Sequence, residues 1–421
     1  MPLRRTPPVQ AHPLVSMGWT LLPPAVLLSI TAGQALGGAL IAHWALTPAR
    51  RRRWPAGLRG PLLGFLGWIV LAALLAGANP LAAAGKWAFL LLLPAAYAHA
   101  AAGADIQPPL LAFLATAAAL LPSGAWTFLH YPGGRARGFS GGAPHLGTNL
   151  MLGAVIFGAM AFASAGRGAA RLWAAGLACA TGLALTLNRG AVLGLAVAAG
   201  LVTARRRPAW LAVALGLVAA AAAAFPNEKA VLRLRTGFAY PVDDSSRERV
   251  RMWGAALRMM RNRPLAGVGT REAFIREYAT RYKDPAASEL RPGHVHNSYL
   301  QTAVLHGVPG LGLLLWWLAV LWNGLPALGL SGKVSPTVTA TPQRSVTPSR
   351  PPPPSEWPYR RALKPVVVAL LVNAGFDFVL ADGQHAMMWS TLLGLVLGSV
   401  PEGGNRGSPL SANRIHLKTN R

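Results

Sequence analysis

Acidic side chains are scarce in this chain. Thirteen Asp and Glu stand against 40 Lys and Arg, and residues 1–225 hold a single carboxylate, Asp105. The N-terminal half therefore lacks the oxygen cluster that Mg²⁺ requires and the intramembrane acid chain of a proton-driven pump. Cysteine is nearly missing as well. Cys179 alone, inside an apolar run, excludes a disulfide scaffold. No His/Cys set has zinc spacing, and no G-x-x-x-x-G-K-[ST] loop points to nucleotide hydrolysis. Only 13% of the 421 residues are charged, against about 25% in ordinary soluble proteins. That excludes a soluble globular enzyme and a disordered chain.

Long apolar runs fill the space that charge leaves. They fall at roughly 15–46, 61–78, 81–100, 107–128, 147–165, 169–187, 190–204, 209–225, 299–322, 364–380 and 386–400. Most have the length of a membrane-crossing helix. The first is long enough for a tight helical pair, which brings the expected total to about 12 (11–12) transmembrane helices in an all-α integral membrane protein. No cleavable signal peptide is expected at the start. Arginine clusters at 50–53, 167/171 and 205–207 flank these runs and read as cytoplasmic anchors. No basic–aromatic nucleic-acid module is visible, so no nucleic-acid partner is expected. The organisation that follows is an N-terminal helical region 1–225 with an external loop at 129–146, then a long periplasmic loop at 226–298. A span at 299–322, a Pro-rich cytoplasmic linker at 323–363, two spans within 364–400 and a cytoplasmic tail at 401–421 complete it.

The long loop carries 14 Lys/Arg and 8 Asp/Glu, so it is basic on the side where the positive-inside tendency disfavours basic residues. Binding an anion is one reason for that; a solvated surface is the other. Ser245 and Glu248 fit a capping box. Val250, Trp253, Leu257 and Met260 then recur at helical spacing, as in an amphipathic helix lying on the membrane. Asn262 to Gly269 reads as a turn, and Thr270 as the cap of a second helix bearing Phe274 and Tyr278. Arg189 interrupts two apolar runs at the external end, either as an anion clamp or as a snorkelling residue. Arg249 lies four residues before Trp253, and Arg135 and Arg137 lie in the first external loop. His296, where the long loop meets an apolar helix, is the best acid–base candidate, because imidazole changes charge near neutral pH. His294 is two residues away and does not share a helical face with it. Asp377 is an ionisable group near the external end of a span, which makes it a functional-site hypothesis, with a helix-end charge as the other reading.

These segments together resemble the bacterial O-antigen ligase/polymerase superfamily of GT-C-type membrane glycosyltransferases. The likeness is strongest over 245–312, where RERVRMWGAALRMMRNRPLAGVGTREAF precedes HVHNSYLQTAVLHGVPGLG. His296 and Asn297, then Gly307 and Gly310, follow the ligase pattern. NRGAVLGL, with Arg189 and Leu193, resembles the family's Arg-x-x-x-Leu segment. RARGFSGGAPHLGTNL and FDFVLADGQHAMMW resemble its external-loop and C-terminal Asp segments. Gly142-Ala143-Pro144-His145 departs from the usual Asn-Pro-Asn, and Asn188 from the usual Ser. The resemblance implies a metal-independent, inverting transfer without cofactor. Arg189 and Arg249 would bind the diphosphate of a polyprenyl-linked glycan donor, and His296 would be the base. Arg135, His294, Asn297 and Asp377 would be secondary. The expected acceptor is lipid A-core, in a multi-pass protein of the bacterial inner membrane whose site faces the periplasm. A polymerase of O-antigen or exopolysaccharide and a protein O-oligosaccharyltransferase differ only in acceptor. A non-catalytic glycolipid transporter is the reading from a different class.

Overall fold

The computed structural model describes residues 12–48, 53–130, 136–139, 142–163, 166–203, 244–289, 292–325, 362–380 and 382–399. Arg135, Asp243, the apolar run 209–225, nearly all of the linker 323–363 and the tail from 401 lie outside them. Every regular element among the described residues is helical: α1 Pro13–Leu28, α2 Ile30–Leu46, α3 Arg59–Leu75, α4 Pro80–Trp87, α5 Leu92–Ala101, α6 Gln107–His130, α7 Ala143–Ala163, α8 Gly166–Thr186 and α9 Arg189–Thr203. α10 Asp244–Asn262, α11 Arg271–Glu277, α12 Ser298–Gly324, α13 Leu363–Ala374 and α14 Gly383–Gly398 follow. Five stretches are long and apolar enough to cross a membrane: Pro80–Ala101, Gln107–His130, Ala143–Phe162, Gly168–Thr186 and Ser298–Gly324. Shorter apolar helices, such as Arg59–Leu75 and Leu363–Ala374, pack among them. The expected total of about twelve spans includes the run at 209–225 that the described residues do not reach.

The first apolar run is a pair of helices. Its break falls at Ser29, which is extended (φ −150°) and caps α2 by accepting from Ala32 N at 3.3 Å, whereas Pro23 and Pro24 sit inside α1. A side chain on Gly33 would lie 2.9 Å from the Val26 Cα. Glycine therefore lets the two helices close at the break, the small-residue packing that membrane helices use. Elsewhere α7 packs on α8, α13 on α9, α14 on α5 and α12 on α3.

The long-loop helices form their own apolar cluster against α12. The expected stripe divides, with Trp253 and Met260 packed against this cluster. The stripe turned inward on α10 is Met252, Ala255, Ala256 and Met259, which meet Phe274, Tyr278, Val295 and Val304. Val250 and Leu257 remain exposed. Both stripes have helical spacing, and the two alanines let α10 approach more closely than the larger residues would. The side chain of Ser245, one half of the expected capping box, lies outside the described residues. The Glu248 carboxylate takes Arg251 at 3.0 Å and Ser288 N at 3.0 Å. Those backbone and side-chain hydrogen bonds hold it below the usual carboxylate range. Thr270 caps α11 as expected, accepting from Ala273 N.

α12 is broken at Gly307 (φ 73°). A helix broken at this depth frees carbonyls that must find donors. The turn 264–269 supplies them. Val268 N donates to Val304 O at 2.9 Å and Gly269 N to Leu305 O at 2.8 Å, while Val308 N donates back to Pro264 O at 2.7 Å. Trp68 Nε1 satisfies His306 O at 2.8 Å. The NRPLAGVG turn and the Gly307/Gly310 pattern are thus two halves of one joint, which fixes the N-terminal half of α12 against the loop helices.

Candidate active site

The turn after α13 is the centre of the candidate site. Asp377, 6% exposed, accepts from His294 Nε2 across 3.3 Å and lies 3.5 Å from His296 Nδ1 through the same oxygen. Phe378 N donates to that oxygen at 2.8 Å. Burial opposes ionisation of Asp377. The His294 hydrogen bond and the two facing imidazoles outweigh it, holding the carboxyl well below its ordinary range.

Four consecutive residues tie this turn to the start of α12. His296 faces Asp377. Asn297 caps the helix through Leu300 N (3.0 Å) and donates to Gly375 O (3.0 Å). Ser298 Oγ donates to Asp377 O (2.9 Å) and accepts from Val379 N (3.0 Å). Tyr299 donates to Leu371 O at 2.9 Å. Each polar side chain of HNSY therefore has a place on the 371–380 segment. His296 itself has φ 54°, a left-handed conformation that costs a non-glycine residue about 1–3 kcal/mol and tends to mark functional positions. Its neighbour holds it there: Val295 N donates to Gln301 Oε1 at 2.7 Å, and Val295 O accepts from Trp253 Nε1 at 2.9 Å.

Arg249 reaches the same turn, and the backbone beside Arg189 adjoins it. Arg249 Nη1 donates to Phe376 O at 2.8 Å. Arg189 opens α9, whose cap Asn188 accepts from Ala191 N at 3.2 Å. Leu187 just before it is also left-handed, at φ 54°. A side chain on Gly190 would fall 2.6 Å from Asn373 Oδ1 and 2.7 Å from Phe376 Cβ. The backbone beside Arg189 thus lies directly on the 373–376 turn. Arg189, Arg249, His294, His296, Asn297 and Asp377 all gather at one end of the bundle. Arg137 lies on a separate strut, its N–H on Thr127 Oγ1 at 2.8 Å.

The starts of α7, α9, α12 and α14 lie near this turn and one another. Polar contacts lace their starts together, with Asn373 Nδ2 on Thr148 Oγ1 (3.0 Å) and Asn188 Nδ2 on Pro144 O (3.3 Å). Helix N-termini carry partial positive charge, so their gathering favours a bound anion. Guanidinium adds permanent charge and a planar donor fork suited to phosphate oxygens.

A second imidazole–carboxylate cluster was not legible beforehand. His145 Nε2 contacts Asp382 Oδ2 at 2.8 Å, and His385 Nδ1 lies 3.1 Å from the same oxygen. The departure from Asn-Pro-Asn at 142–145 was its one visible sign, because the partners are 237 residues apart.

No curated protein matches the chain. The family model described as O-antigen ligase matches residues 174–315, a stretch that contains Arg189, Arg249, His294, His296, Asn297 and the broken joint of α12. Over that third of the chain it is similar to the O-antigen ligase family.

Proposed function

We propose that the chain is an O-antigen ligase, which transfers a glycan from polyprenyl diphosphate to a lipid A-core hydroxyl at the periplasmic face of the inner membrane. The observation that carries the reading is one imidazole 3.5 Å from a buried carboxylate, on a turn that Arg249 reaches and that the backbone beside Arg189 adjoins. With Nδ1 turned to Asp377, His296 has Nε2 for the acceptor. The hydroxyl oxygen attacks the anomeric carbon as its proton passes to His296, and a new C–O bond forms. The bond from the anomeric carbon to the phosphate oxygen breaks, and polyprenyl diphosphate leaves with the electron pair. Asp377 stabilises the imidazolium that results. Arg189 and Arg249 take the charge growing on the diphosphate, and such fixed donors are worth a few kcal/mol in a transition state. Attack opposite the leaving group inverts the anomeric centre.

Mass spectrometry of surface glycolipid in a deletion strain tests the acceptor. Accumulation of unligated lipid-linked polymer is expected. Single repeat units on the core would make the chain a polymerase instead, and an unchanged glycolipid profile would remove the reading.

Activity of the purified protein is expected to survive chelation by EDTA, since guanidinium groups here occupy the role that divalent cations hold in other sugar transferases. A strict Mg²⁺ requirement would transfer that role to Asp243 and Asp244.

A further inference from the structure

Asp382 stands at the N-cap of α14 but its side chain makes no cap hydrogen bond. Asp is among the best N-cap residues because its oxygen normally accepts from the first helical turn. Here the carboxylate turns away to two imidazoles. His145 and Asp382 are each about a quarter exposed, while His385 is 3% exposed and backs them. His385 Nε2 and the buried Asn149 Oδ1 have no hydrogen-bond partner among the described residues, and Asn149 holds His145 O through Nδ2 at 2.9 Å. Buried polar groups left without partners are rare and call for a reason.

Three ligand chemistries are open to such a cluster, and two fit poorly. A metal ion must lie in the ring plane of each imidazole that binds it. The rings of His145 and His385 are stacked 4.5 Å apart and 3° from parallel, so no point lies in both planes. A phosphate would face the Asp382 carboxylate. Burial opposes ionisation of that group, but the hydrogen bonds and charges of His145 and His385 overcome the penalty and hold its pKa far below normal. An ionised carboxylate repels an anion and accepts from neutral hydroxyls. Imidazole, carboxylate and a carboxamide within one patch are the groups that bind sugar hydroxyls, and Lys86 lies within electrostatic range of Asp382.

We infer that His145 and Asp382, positioned by the buried His385, form a subsite for the hydroxyls of the acceptor glycan. This rests on the transfer reading above. The five-residue separation of Asp377 and Asp382 limits the distance between their Cα atoms to about 18 Å, the reach of a short oligosaccharide. The donor's diphosphate belongs with the arginines, and the carboxylate cluster belongs with the neutral partner. The subsite keeps the acceptor in register while its reacting hydroxyl meets His296.

The test uses the full-length purified chain and the core oligosaccharide released from lipopolysaccharide that lacks O-antigen. Calorimetric binding is measured beside transfer kinetics. Asp382→Asn and His145→Ala are expected to weaken oligosaccharide binding by about 10–100-fold, the loss of one or two charge-assisted hydrogen bonds. They should raise the acceptor KM alike and leave the donor KM in place. Asp382→Asn preserves volume, and a thermal melt near that of the parent shows the fold intact. Wild-type protein that does not bind the oligosaccharide, a variant with unchanged acceptor KM, a rise in donor KM alone, or stoichiometric Zn²⁺ lost on Asp382→Asn would each overturn the inference. Binding without any transfer by the wild type would instead sink the transferase reading and leave the subsite standing.

Discussion

Substituting His296 by asparagine is expected to lower glycan transfer by about 10²–10⁴-fold, the usual contribution of a positioned general base, with insertion and thermal stability close to wild type. Asparagine is the informative replacement. His296 sits at φ 54°, and Asn enters the left-handed region more readily than Ala does, so the loss reports on the imidazole and not on the backbone. Asp377 keeps its His294 contact at 3.3 Å and its Phe378 N–H at 2.8 Å, so the buried carboxylate is not stranded. The acceptor KM should change little, because the base acts on the proton in flight more than on ground-state binding. A His296→Asn protein that transfers glycan at the parent rate in a purified assay would remove the base from the mechanism. If the same variant still moved lipid-linked glycan across vesicles without attaching it, the carrier reading would gain instead.

How much of this was legible in the sequence divides along range. Local features read well: the helical pair in the first run, the turn at 262–269, the Thr270 cap and the helix that opens after His296. Each depends on residues within one or two turns of one another. The α10 face was legible in part: Trp253 and Met260 pack with the Met252–Met259 stripe, and what α12 and the 268–278 segment present decides the rest. Large residues drew the eye to Val250 and Leu257, but the alanines at 255 and 256 decide how near α10 can come. His296, Arg189 and Asp377 were each identifiable alone, through an interrupted apolar run or a charge at a helix end. Their meeting at the 373–377 turn joins residues up to 188 positions apart, and no spacing rule carries that information. The His145–Asp382–His385 cluster is the extreme case, since His145 falls in the expected external loop 129–146 and its partners lie more than 230 residues away.

Gly307 gives the second large effect. It lies at φ 73°, ψ 179°, a region that is essentially closed to residues with a side chain. A Cβ there would collide with Leu265 O and fall 2.7 Å from Pro264 O. Both are backbone atoms, so no rotamer change relieves the clash. Gly307→Ala must therefore drive the 264–269 turn off the broken helix. Three hydrogen bonds then fail together: Val268 N to Val304 O, Gly269 N to Leu305 O and Val308 N to Pro264 O. At about 1 kcal/mol each, added to about 1–3 kcal/mol of backbone strain, the loss is on the order of 5 kcal/mol. Single substitutions seldom exceed that. Transfer should fall as well, since the residues from Asn297 to His306 hang between this joint and the Asp377 turn. Gly312→Ala is the matched control on the same helix. A Cβ at Gly312 meets nothing within 4 Å, and alanine in place of a helical glycine is neutral or stabilising by up to about 1 kcal/mol. Thermal unfolding of the two variants in detergent separates them: Gly307→Ala melts far below the parent or is not recovered, and Gly312→Ala melts at or above it. Equal melting temperatures would mean that the turn and the break do not depend on one another, and the joint that positions His296 would have to lie elsewhere in the fold.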